Sequence, residues 1–199
     1  KYYPEIMNNL SKVAENDRIA LFKLCENRSI YNIPEFLSKN NYQVNFYAKA
    51  AFENNEPFQC WSNIHLYDTA YYFSENKAGI FNENIEFGAT CVVPVKDIKI
   101  KEKQRILADV TIQSEFDLNK VYLVVSVEKR NENLFYLNEE IKIQATGKQW
   151  KRLSFVVNLP DLTASNDCAV KVYLWNPEKR KFLYDDFSFV LLNQSYLRI

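Results

Sequence analysis

The chain is poor in glycine: three occur among 199 residues, at Gly79, Gly88 and Gly147. Phosphate-cradling loops and dinucleotide fingerprints need several glycines in one short stretch, so both are excluded. Histidine is scarcer still. His65 stands alone in NIHLYD, so a Ser–His–Asp or Cys–His device would have to use it, and no GxSxG nucleophile turn is present. Charge of one sign is also missing: 25 Lys and Arg face 25 Asp and Glu. That balance leaves no electrostatic footprint for nucleic acid or an anionic membrane. No apolar run reaches the roughly 20 residues of a membrane-spanning helix, and no signal peptide is visible. The chain opens on Lys1 rather than Met, so it is expected to be a trimmed piece of a longer polypeptide. Cys25, Cys60, Cys91 and Cys168 lie too far apart for a CxxC metal or redox motif. Spacing cannot choose among their three pairings. Free thiols packed as small apolar residues are the favoured expectation.

What the chain has in quantity is aromatic residues, including 13 Tyr and 14 Phe, which suit strands. The hydrophobic period divides the sequence in two. In residues 1–41, Ile6, Leu10, Val13 and Ala14 fall at helical spacing, as do Ala20, Leu21, Leu24 and Cys25. Asp17 can cap the second helix, and Pro34 opens a further short turn. From Tyr42 the period is two. Strands are expected at QVNFYAKAAFE, at EFGATCVVPV, and near 104–113, 120–130, 134–144, 150–159, 169–175 and 182–192. An irregular aromatic stretch covers about 54–84. The expected architecture is all-β: a two-sheet antiparallel jelly-roll sandwich over 42–199, behind a small helical lead-in over 1–41.

Strand parity separates two faces. Val121, Leu123, Val125 and Val127 share one side, as do Val170, Val172 and Leu174, Leu153, Phe155 and Val157, and Ile106, Ala108, Val110 and Ile112. That side is the expected core, together with Phe187 and Phe189. The opposite side mixes flat rings with polar groups. Tyr122, Glu128, Lys171, Tyr173 and Trp175 are the candidate ligand residues there, because aromatic faces cover the apolar sides of sugar rings while polar groups meet hydroxyls. The competing reading covers the same face with a loop or the lead-in. Trp175, beside the NPEKRK turn, would then seal the sandwich edge.

The last strand contains a pair of acids. Neighbouring strand residues point apart, so one of Asp185 and Asp186 is expected to point inward. Asp185 shares the parity of Leu183, Phe187 and Phe189 and is the inward candidate. A buried carboxylate needs amides, a counter-charge or a cation.

AFENNEPFQCW, GKQWKRLSFVVNLP and VKVYLWNPEKRKFLYDDFSFVLL, in that order, resemble elements of galactose-binding-like jelly-roll carbohydrate-binding modules across about 42–192. The scarce glycine and the helical lead-in depart from that pattern. The resemblance implies a structural calcium held by Glu53 and Asp185, less directly Asp186, with backbone carbonyls. The alternative is that Asp185 accepts backbone amides and holds no metal. Trp150 is expected to pack rather than bind. The function implied is a non-catalytic carbohydrate-binding-like module, with a glycan and an upstream domain of the same polypeptide as partners. It would form the extracytoplasmic part of a larger envelope or secreted protein. The alternatives are a structural sandwich that docks on its parent protein without a sugar site, and a small glycoside-acting hydrolase.

Overall fold

The computed structural model describes residues 44–50, 52, 60–64, 66–74, 76–98, 104–130, 132–162 and 166–193. The expected helical lead-in, 1–41, lies outside them. Within them the chain forms eleven strands and one short 3-10 helix, Val95–Asp97. The strands are β1 (Val44–Lys49), β2 (Trp61–Ser62), β3 (Tyr67–Asp68), β4 (Ala78–Phe81), β5 (Phe87–Pro94), β6 (Gln104–Gln113), β7 (Leu118–Lys129), β8 (Glu132–Ile143), β9 (Lys151–Asn158), β10 (Ala169–Trp175) and β11 (Phe182–Asn193). The eight expected strands are all present. The other three, β2, β3 and β4, lie in the stretch expected to be irregular. Two of them are two-residue pairings, too short to show a period.

The strands build two antiparallel sheets. The larger runs β3-β4-β11-β6-β9, with β1 also paired to β11; the smaller runs β2-β5-β10-β7-β8. We call them the six-stranded and the five-stranded sheet. The core lies between them, and the period-two reading identified most of it. Ile106, Ala108, Val110 and Ile112 face Val121, Leu123, Val125, Val127, Val170, Val172 and Leu174, all buried. Leu153 and Phe155 pack on this core but are only partly buried, because β9 is a sheet edge with β6 on one side alone. Their expected full burial is corrected accordingly.

Parity failed in β11. Asp185 pairs with Thr111 and Ser188 pairs with Asp109, so three steps on β11 oppose two on β6. This is a β-bulge, and Asp186 carries its left-handed backbone, φ 50°. The bulge resets the alternation. Phe182 and Tyr184 point into the core before it, and Phe187, Phe189 and Leu191 after it. Asp185 therefore lies on the face opposite Tyr184, not on the core face with Phe187 and Phe189. It is buried because the 73–74 segment lies over it.

Tyr184 is wholly buried, and its hydroxyl accepts the Ala89 N–H at 2.8 Å. Gly88 makes room beside it: a Cβ there would come within 2.6 Å of the Phe81 ring. Cys60 and Cys91 form a disulfide, which ties β2 to β5, while Cys168 is free and buried. The expectation of free thiols is thus corrected for one pair. Spacing could not reveal a bond between residues 31 apart in sequence that the sheet brings side by side. Asn193 opens an N-x-S sequence but is buried, accepting from Asn45 at 2.6 Å and Gln104 at 2.5 Å.

Candidate functional site

The five candidate ligand residues lie on one surface, the outer face of the five-stranded sheet. Register puts them there. Trp175 lies opposite Tyr122, Tyr173 opposite Val124, Lys171 opposite Ser126, and Ala169 opposite Glu128. Each of the five is half-buried. The Trp175 ring leans on Tyr122, centroids 5.3 Å apart at 32°, and its indole N–H donates to Glu86 Oε1 at 3.1 Å. Lys171 Nζ donates to both oxygens of Glu128, at 3.0 and 2.8 Å, and Ser126 Oγ donates to Glu128 Oε1 at 3.0 Å. Tyr173 is hydrogen-bonded to Tyr136; burial first, then Tyr136, pushes its phenol up to about 12. It therefore stays neutral throughout the ordinary pH range.

The structure adds residues that sequence reasoning did not single out. Phe87 is 46% exposed and Tyr136 45% exposed. Phe87 comes within 6.0 Å of the Tyr173 ring, centroid to centroid. Strict alternation places Phe87 on the core side with Ala89, Cys91 and Val93. An extra residue in β5, between the pairs Tyr173–Thr90 and Trp175–Phe87, turns it outward. Tyr136 was accessible to the same parity argument: Phe135, Leu137, Ile141 and Ile143 alternate inward along β8 and leave Tyr136 outside. Five rings, Phe87, Tyr122, Tyr136, Tyr173 and Trp175, thus share one sheet face with Glu86, Thr90, Glu128 and Lys171 between and beside them. Such a surface can stack the apolar face of a ring and hydrogen-bond its rim.

The acid pair sits elsewhere, on the outer face of the six-stranded sheet. Asp185 Oδ2 accepts the N–H groups of Phe73 and Ser74 at 3.0 and 2.8 Å, and Oδ1 accepts that of Asp186 at 2.7 Å. Burial pushes its carboxyl above the ordinary value, against the pull of those amides. Asp186 Oδ1 takes the Lys49 ammonium at 2.6 Å and the Ser74 hydroxyl at 2.7 Å. Calcium needs six to eight oxygens with free lone pairs. Here three N–H groups occupy the Asp185 carboxylate and the Lys49 ammonium already sits on Asp186. Glu53 lies outside the described residues. Among the described residues no group of three or more His, Cys, Asp or Glu is placed to hold a metal.

Farther along this face Asp109 is buried and paired with Arg152, whose Nε donates at 3.0 Å and whose Nη2 also donates; Ser154 Oγ donates at 2.6 Å. Trp150 packs on Phe73, centroids 5.9 Å apart, which agrees with a packing role. His65 lies outside the described residues.

Two antiparallel sheets in this order, with a core between them, form a jelly-roll sandwich, a fold seen in solved carbohydrate-binding modules. Solved structures with this fold include the tandem CBM22-1–CBM22-2 domains of Paenibacillus barcinonensis Xyn10C, at 12% identity over 76% of this chain and 46% of that one, with a TM-score of 0.50. They also include the CBM22-1 xylan-binding domain of the same protein, at 13% identity over 76% and 96%, TM-score 0.47. A third is the CBM6cm-2 module of Cellvibrio mixtus lichenase 5A in complex with cellotriose, at 12% identity over 76% and 99%, TM-score 0.41. At such identity the likeness is one of fold. No protein-family model and no curated protein sequence matches the chain.

Proposed function

We propose that this domain is a non-catalytic carbohydrate-binding module and that the outer face of the five-stranded sheet is its glycan surface. The observation that carries the reading is the set of five rings on one sheet face, two of them well exposed. Trp175 and Tyr122 form the leaning pair at one end. Phe87, Tyr173 and Tyr136 extend the apolar surface across β5, β10 and β8. Glu128 and Lys171 hold each other in place, so they present fixed polar groups beside the rings without first having to be ordered, which limits the entropy cost of binding. The fold shared with carbohydrate-binding modules supports the same reading. The Cys60–Cys91 disulfide supports an extracytoplasmic location, since such bonds persist in oxidising compartments. Within the described residues no helix is long and apolar enough to cross a membrane. An upstream domain of the same polypeptide remains the proposed covalent partner.

A second reading has one observation in its favour. The indole N–H of Trp175, the Tyr173 phenol and the Glu128–Lys171 pair are all satisfied within the domain, as they would be on a face that only packs against a partner protein. A glycan array followed by calorimetric titration separates the two. Binding of at least one glycan by the wild-type domain, abolished in Trp175→Ala and weakened at least tenfold in Tyr136→Ala with melting temperatures preserved, is the expected result. Wild-type protein that binds no glycan would leave the docking surface standing.

A further inference from the structure

A cavity of about 160 Å³ opens on the opposite side of the sandwich. Its floor includes a cross-strand row on the outer face of the six-stranded sheet: Ile80 on β4, Leu183 on β11 and Gln113 on β6. Its rim comes from strand connections, with Tyr71 between β3 and β4 and Phe116 between β6 and β7. Both rings are unusually exposed, at 52% and 66%. The backbone that presents each ring is held by hydrogen bonds. The Ser114 hydroxyl donates to the Phe116 carbonyl at 2.7 Å and accepts the Phe116 N–H at 3.2 Å. Asp68 Oδ1 accepts the Ala70 N–H at 2.6 Å, closing the turn that presents Tyr71. A lone exposed ring is ordinary, but an exposed apolar patch is informative, and here two large rings share the rim of one cavity.

The polar lining adds a second observation. Gln113 is more than nine-tenths buried. Its Nε2 donates to the Gly147 carbonyl at 3.2 Å, and its Oε1 has no hydrogen-bond partner among the described residues. A buried acceptor without a donor is costly, and the side chain that carries it belongs to the cavity wall. Around the rim Asp68 and Glu115 balance Lys148 and Lys181. The site therefore has no net preference for an acid or a base, and it offers both acceptors and donors to hydroxyls. Its size matches one ring: a cavity on the order of 150 Å³ holds a benzene molecule.

We infer that this cavity is a second binding site, independent of the aromatic sheet face, and that it takes one neutral, hydroxylated six-membered ring, either a free monosaccharide or the terminal residue of a chain. Tyr71 and Phe116 flank the ring, and the four rim charges bond its hydroxyls.

The test is titration of the full chain with glucose, galactose, mannose, xylose and N-acetylglucosamine, and with short oligomers of each, by calorimetry and saturation-transfer NMR. Tyr71→Ala, Phe116→Ala and Trp175→Ala are run alongside. At least one sugar should bind, tenfold or more weaker in Tyr71→Ala and in Phe116→Ala, and unchanged in Trp175→Ala. Both rim residues are exposed, so both variants should fold, and thermal melting verifies it. Equal affinity for a monosaccharide and its oligomers identifies a chain terminus as a ligand, whereas binding of the monosaccharide alone identifies the free sugar. No binding of any sugar in the panel overturns the inference. So does a panel in which every sugar that binds is lost in Trp175→Ala and kept in both rim variants, which would leave the sheet face as the site of all the binding.

Discussion

Asp185 shows how much one side chain can organise. Its carboxylate organises the 73–74 segment through two amides, which in turn carries Phe73 against Trp150. Its pKa is raised by burial from the ordinary 3.8, so the native state holds the proton more tightly than the unfolded state. The sign follows from linkage: stability from this group is fully present below the unfolded value and falls as pH rises through the native one. Asp185→Asn should flatten that segment of the stability profile, measured as denaturation midpoint against pH from about 3 upward, with no effect near pH 8 on slope. A variant that leaves the acid limb unchanged would show that the shift has another source. Tyr173 behaves alike at the other end. With its phenol at about 12 against an unfolded value near 10, stability should decline between those values, and Tyr173→Phe should remove that share. Size of burial separates two phenylalanines that strand parity treats alike. Phe189→Ala should cost about 3–5 kcal/mol in chemical denaturation. Phe155→Ala, on the edge strand, should cost roughly 1–2 kcal/mol in proportion to its smaller burial.

At the scale of elements, two of the bulges carry more functional weight than the regular strands. One, in β11, turns Asp185 out of the core and under the 73–74 segment. The other, in β5, turns Phe87 out to meet Tyr173. Each adds one residue and flips every later side chain. Close packing near the β5 bulge depends on a missing side chain: Gly88 lies against Phe81 and the Tyr184 hydroxyl. Gly88→Ala should destabilise the domain by about 1–3 kcal/mol, visible as a lower urea midpoint, whereas Gly147→Ala, with open space around it but φ 58°, should lose stability only through its backbone. The disulfide joins a two-residue strand to the sheet. Replacing both Cys60 and Cys91 with Ala should lower stability by about 2–4 kcal/mol, and reductant should lower the wild-type melting temperature but not that of the double variant.

For the whole molecule, the sandwich has two unlike outer faces. The five-stranded sheet presents rings interleaved with a fixed ion pair. The six-stranded sheet presents buried polar contacts, a strap over its acid pair and a rimmed cavity. The donor set at Asp185 and Asp186 predicts that chelator leaves the melting temperature unchanged. A chelator-sensitive transition that Asp185→Asn abolishes would instead establish the calcium site that family resemblance implied.

The period-two pattern determined the all-β class, the order of the eight main strands and nearly all of the aliphatic core, because alternation is a local consequence of strand geometry. It also put Tyr122, Glu128, Lys171, Tyr173 and Trp175 on one face, since β7 and β10 alternate and pair without a shift from Tyr122 to Glu128. Three things were decided only in the tertiary structure. The partner of Cys60 depended on a pairing between segments far apart in sequence. The directions of Asp185 and Phe87 depended on one inserted residue in each of two strands, which parity cannot register. The cavity beside Gln113 depended on loops from separate strand connections meeting over one sheet row. All three arise from contacts between distant segments, and a local pattern carries no record of which distant segment will arrive.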